Sequence, residues 1–132
     1  MSGILSKLNP AQREAVIATE GPVLIIAGAG SGKTRALTHR VAYLICDKGV
    51  DPGKILAVTF TNKAAQEMKA KIAGLLSGRE RGELPLVGTF HSICVRILRK
   101  EIQRLGYKAS FNIFDDQDQL ALMKKVMRNM EI

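Results

Sequence analysis

Lys33 and Thr34 close a run of small residues, AGAGSGKT from Ala27 to Thr34, and a lysine beside a hydroxyl residue after closely spaced glycines suits phosphate binding. In the pattern G-x-x-x-x-G-K-[ST], the ammonium reaches the β- and γ-phosphates of a nucleoside triphosphate and the hydroxyl ligates Mg²⁺. Gly28, Gly30 and Gly32 allow positive φ angles and a bare backbone, so that successive N–H groups can curl around an anion. The first glycine of the pattern falls on Ala27, and the competing reading is a glycine-rich turn that binds nothing. A nucleoside triphosphate with Mg²⁺ is the expected ligand, with Lys33 and Thr34 as the chemically active pair and Thr34 as the metal ligand.

Such a loop needs a strand before it and a helix after it. Val23, Leu24, Ile25 and Ile26 suit a buried parallel strand, because aliphatic side chains on both faces need cover on both. The helix opening near Lys33 aims its free N–H groups and partial positive charge at the loop. Its core-facing stripe is Ala36, Leu37, Val41, Leu44 and Ile45. After the turn Asp47 to Lys54, a second strand at Ile55 to Phe60 runs into a helix with Ala65, Met68, Ile72 and Leu75 at helical spacing. The charged loop GRERGELP leads to a third strand at Leu86 to Phe90 and a helix, HSICVRILRKEIQRLG, with Gly106 at its C′ position. Strands alternating with helices predict a parallel sheet with right-handed crossovers and ligands at its carboxyl rim. That places Thr59 to Lys63 beside the phosphate loop.

Upstream, LNPAQREAVIATEGP predicts a short helix with Asn9 at N-cap, Pro10 at N1 and Gly21-Pro22 as the stop. Gln12 on it could offer a donor and an acceptor to adenine, although an exposed helical Gln is more often only solvated. Arg96, Arg99, Lys100, Arg104 and Lys108 give the fourth helix a basic side, favoured as a solvated face over a direct phosphate contact. FNIFDDQDQ imitates an apolar strand ending in Mg²⁺-binding carboxylates. Asp115, Asp116 and Gln119 are favoured instead as the cap of a final amphipathic helix carrying Leu120, Met123, Val126, Met127 and Met130.

Size and charge narrow the classes. A chain of 132 residues buries one core. Twenty Lys and Arg against twelve Asp and Glu give a formal charge of +8, which makes polyanions natural partners. Cys46 and Cys94 lack metal-ligand spacing and read as thiols of a reducing compartment, the cytoplasm by default. No apolar run approaches the roughly 20 residues of a membrane span, so no membrane partner is expected.

These residues resemble the UvrD, Rep and PcrA group of superfamily 1 DNA helicases. The resemblance is carried by LNPAQREAV, AGAGSGKTRAL, VTFTNKAAQEMKAKI, GTFHS and the segment around FDDQDQ, in that order. It implies that Gln12 recognises adenine, that Arg35 lies near the base, and that Ala29, Gly30, Ser31, Gly32, Lys33 and Thr34 hold the phosphates and Mg²⁺. It further implies that Phe60, Thr61, Asn62, Thr89, Phe90 and His91 meet single-stranded DNA. An aromatic ring stacks on a base without demanding a sequence. Without the resemblance, Phe60 reads as a core residue at a strand end and His91 as a capping histidine.

The implied fold class is α/β: an incomplete RecA-like parallel sheet of a P-loop NTPase, flanked by helices. Residues 1–110 would form the N-terminal part of the first motor lobe, and 111–132 the start of an inserted helical subdomain. The implied parent is an ATP-dependent 3′-to-5′ DNA helicase of DNA repair or a related pathway, acting with a second motor lobe. Motifs for water activation and arginine fingers have no counterpart in this chain, so by itself it is expected to bind nucleotide without hydrolysing it or unwinding DNA. The rival readings are a small P-loop kinase and a non-catalytic module binding ATP or single-stranded DNA.

Overall fold

The computed structural model describes residues 3–77 and 83–131. The chain divides into two compact units, Met1–Ile93 and Cys94–Ile132.

In the first unit, α1 spans Pro10–Ile17 and α2 Lys33–Cys46. Strand β1 (Leu56–Thr59), helix α3 (Asn62–Leu76) and strand β2 (Leu86–Thr89) follow, and β2 runs directly into α4, Phe90–Glu101, of which only residues 90–93 belong to this unit. The strands pair in parallel, with Leu56 opposite Leu86 and Thr59 opposite Thr89. Parallel neighbours need a crossover, and α3 supplies it. The core joins Val41 of α2, Ala57 of β1, and Met68 and Ile72 of α3, with Ile45, Ile55, Leu76 and Val87 packed around them. Ala65, Met68 and Ile72 are therefore the buried face of α3, as their spacing predicts. The loop expected over GRERGELP lies partly outside the described residues, which resume at 83.

The expected strand at Val23 to Ile26 does not form. Among the described residues the sheet consists of β1 and β2 alone, and a strand without a hydrogen-bonded neighbour has no ladder to hold it. Residues 22–28 are irregular backbone, with Leu24 85% and Ile26 90% exposed. Val23 and Ile25 are less exposed, so the two-residue alternation of extended chain persists without the sheet.

Some boundaries and one helix face also differ from the expectation. Helix α1 stops at Ile17, well before Gly21-Pro22, and at that end the Arg40 guanidinium donates to the carbonyls of Ala15 and Ala18. On α2, Leu37 is exposed while Thr38 and His39 are buried. Their polar atoms are satisfied one turn back: Thr38 Oγ1 donates to the carbonyls of Thr34 and Arg35, and His39 Nδ1 donates to that of Arg35 at 2.9 Å. Phe90 belongs to α4 rather than to the third strand.

In the second unit, the chain continues from α4 through a 3-10 turn, Ile102–Leu105, closed by Gly106 at φ 81°. Arg104 pairs with Glu101 at 2.8 Å, and Arg99 donates to the Ala109 carbonyl while lying 5.1 Å from the Phe111 ring centroid. Helix α5 spans Asp116–Asn129. Asp115 accepts from the Asp118 N–H and Asp118 returns the bond, so the acidic cluster is a helix cap, as favoured from the sequence. No helix among the described residues is long and apolar enough to cross a membrane.

Candidate nucleotide loop and aromatic rim

The loop is built around Gly32, the N-cap of α2. Its φ of 84° is left-handed, and a Cβ there would lie 2.5 Å from the Gln12 amide nitrogen. Only glycine meets both conditions without displacing a neighbour. Gly30 is also left-handed, at φ 75°. Ser31 closes the turn, its Oγ donating to the Gly28 carbonyl at 2.7 Å. The Lys33 ammonium donates to the carbonyls of Ala27 and Gly28 at 3.0 and 2.9 Å, which places a positive charge across the loop. Thr34 and Arg35, in the first turn of α2, have exposed side chains.

Gln12 comes to the same loop from α1. Its Oε1 accepts from the Asn9 N–H and its Nε2 donates to the Ser31 carbonyl at 3.0 Å. Asn9 Oδ1 accepts from the Gln12 N–H at 2.8 Å, completing a capping box. Gln12 is therefore a structural tie rather than a merely solvated side chain. Its amide keeps one further N–H and one further lone pair for a ligand. An open cleft of about 500 Å³ runs between α1 and residues 23–27, and Gln12, Ser31 and Gly32 help to line it.

The second group of residues follows from strand register. Thr59 and Thr89 are opposite each other in parallel strands, so the next residues, Phe60 and Phe90, leave the sheet at one edge. Their ring centroids are 5.4 Å apart at 44°. Phe60 is 89% exposed and Phe90 51%, so Phe60 is not part of the core that this chain forms. Each strand feeds a helix N-terminus at this edge. Thr61 caps α3, accepting from the Ala64 N–H at 3.2 Å. Thr89 Oγ1 accepts from the Ser92 N–H, and the Ser92 hydroxyl accepts from the Thr89 N–H. Thr89 is buried in this cap, while Asn62 and His91 are exposed and His91 takes no part in the capping. An open cleft of about 320 Å³ between these helix starts is lined by Asn62, Gln66, Lys69, Gly88, Thr89 and Ser92.

Sequence reasoning missed Arg40, Gly88 and Ser92. At Gly88 a Cβ would lie 2.8 Å from Ser92 Oγ and 3.1 Å from Ile93 Cγ1, so glycine there leaves room for the Thr89–Ser92 cap in the first turn of α4. The signal for Ser92 was a capping pattern, Thr89-x-x-Ser92, with Ser in place of Glu or Gln. Arg40 gave none, since its partner carbonyls lie 25 and 22 residues away. Because residues 23–26 stand outside the sheet, sheet order does not place the loop on the rim of Phe60 and Phe90.

A glycine loop capping a helix, tied to a glutamine on a preceding helix and accompanied by a small parallel sheet, is consistent with part of a helicase N-terminal domain. Residues 8–132 match the family model described as UvrD/REP helicase N-terminal domain, and the chain belongs to that family. It is 51% identical over 132 residues to the ATP-dependent DNA helicase PcrA of Staphylococcus aureus, covering all of this chain and 18% of that protein. The PcrA of Bacillus subtilis is 52% identical over 129 residues, 98% of this chain and 17% of the relative. The chain thus spans less than a fifth of the length of these relatives.

Proposed function

We propose that this chain is the ATP-binding N-terminal part of an ATP-dependent, 3′-to-5′ single-strand-translocating DNA helicase. The observation that carries the proposal is the meeting of Gln12 and Lys33 on one loop: an amide with hydrogen-bonding capacity to spare for a base, and an ammonium for the phosphates. Ala29, Gly30, Ser31 and Gly32 supply backbone N–H groups, and Lys33 balances the phosphate charge as they bind. Arg35, exposed in the first turn of α2, is available to the base.

Thr34 fits a magnesium ligand: its side chain is exposed and its hydroxyl takes part in no hydrogen bond among the described residues. Mg²⁺ takes few protein ligands and otherwise waters and phosphate oxygens, so one hydroxyl is a sufficient protein contribution here. When bound, the ion would neutralise charge on the β- and γ-phosphates.

Phe60 and Phe90 present a tilted aromatic pair on which bases of single-stranded DNA stack, with Asn62, His91 and the starts of α3 and α4 available to its phosphates. Thr61 and Thr89 act mainly by holding those helix starts in place. In the longer protein, a second motor lobe would complete the site for hydrolysis. The chain alone binds ATP and single-stranded DNA weakly and does not turn ATP over, because in-line hydrolysis requires charge neutralisation from several directions. Its setting would be the cytoplasm, where DNA and ATP are both at hand.

Calorimetric titration of ATP with Mg²⁺ tests the nucleotide half. Binding that Lys33→Ala weakens by roughly tenfold or more, the weight of charge-assisted hydrogen bonds, supports it. Equal binding by both proteins contradicts it.

A further inference from the structure

We propose that Arg40 is a positioning residue for Gln12, fixing α1 so that the Gln12 amide stays on the loop and can read the base; this rests on the nucleotide reading above. Helix α1 has only eight residues, too few to persist without tertiary support. It is held at two ends. At its start, Gln12 Nε2 donates to the Ser31 carbonyl at 3.0 Å. At its finish, Arg40 Nη1 donates to the Ala15 carbonyl at 2.7 Å and also to the Ala18 carbonyl. Val16, fully buried, lies between the two ties.

Both ties run to α2 and the turn that opens it. Ser31 immediately precedes the Gly32 cap of α2, and Arg40 stands about two turns further along that helix. One Nη carries two N–H groups, one for each carbonyl, and the guanidinium charge complements the negative end of α1. At the other end the Gln12 amide occupies the space that a side chain on residue 32 would fill, and its hold there is the bond to the Ser31 carbonyl. A rotation of α1 therefore carries that amide off the Ser31 carbonyl. Arg40 removes that freedom without belonging to the loop.

The test compares ATP with inorganic tripolyphosphate, which has the phosphates and no base, by calorimetry on the whole 132-residue chain. The expected wild-type result is a preference for ATP. Arg40→Ala lowers that preference about fivefold, the value of one ordinary hydrogen bond, while tripolyphosphate binding changes less. Arg40→Lys, which keeps charge and donors, retains most of the preference. Adding Arg40→Ala to Gln12→Ala produces no further loss, because both act through one amide.

Arg40→Ala that lowers the melting temperature but leaves the ATP preference intact overturns the proposal, as do additive losses in the double variant. If Arg40→Ala does not fold, the contrast of Arg40→Lys with the shorter, neutral Arg40→Gln decides: equal preferences overturn the proposal, and loss only in Arg40→Gln supports it. A wild-type chain that binds tripolyphosphate as well as ATP overturns base reading by Gln12 and this inference with it. A chain that binds neither overturns the nucleotide reading itself.

Discussion

At Gly32 the glycine loop and Gln12 constrain a single residue. Alanine there would have to hold a left-handed φ and displace the Gln12 amide from 2.5 Å. The backbone cost alone is about 1 to 2 kcal/mol. Gly32→Ala is therefore expected to lower both the melting temperature and the ATP affinity, read by thermal denaturation and calorimetry. Gly30→Ala carries the φ penalty alone, since no atom lies within 4 Å of a Cβ there, and should cost less. On the rim, Phe60→Ala should weaken single-stranded DNA binding by roughly 1 to 3 kcal/mol with little change in stability, because the ring is 89% exposed. Fluorescence anisotropy with a labelled oligonucleotide measures this, and unchanged affinity would remove Phe60 from the track. The loop was legible in the sequence because closely spaced glycines before a lysine announce their chemistry, whereas Phe60 by its residue type alone reads as core and enters the rim only through the family resemblance. Arg40 was not legible, because what it does depends on which distant carbonyls the fold brings to it.

Among the elements, helices read better than strands. Asn9, Thr61 and Asp115 all cap where the sequence places a helix start, since a cap is a contact between near neighbours in the chain. Leu56–Thr59 and Leu86–Thr89 were legible from their apolar runs. Val23 to Ile26 has the same character and is not a strand, because pairing depends on a neighbour that no local pattern encodes. Hydrogen exchange should show protected amides at the strand pairing of 56–59 with 86–89, and rapid exchange at 23–26. Protection over 23–26 in this chain would mean that another surface already covers it. On α2, apolar periodicity selected Leu37 and passed over Thr38 and His39, whose polar atoms are satisfied by the helix's own carbonyls.

For the molecule as a whole, the formal charge of +8 bears on binding more than on the fold. Contact with about two or three phosphates of a single strand makes a fourfold rise in salt weaken binding roughly tenfold. A gel shift at two salt concentrations should show this, and salt-independent binding would contradict a phosphate-tracking surface. The family and the loop both direct attention to the nucleotide, so the most direct test follows the backbone itself. ADP with Mg²⁺ is titrated into the ¹⁵N-labelled chain while amide shifts are read by NMR. The largest shifts are predicted at Gly28 to Arg35 and at the Gln12 side-chain amide. Shifts confined to other residues, or none at all at saturating ADP, would contradict a nucleotide site on this loop.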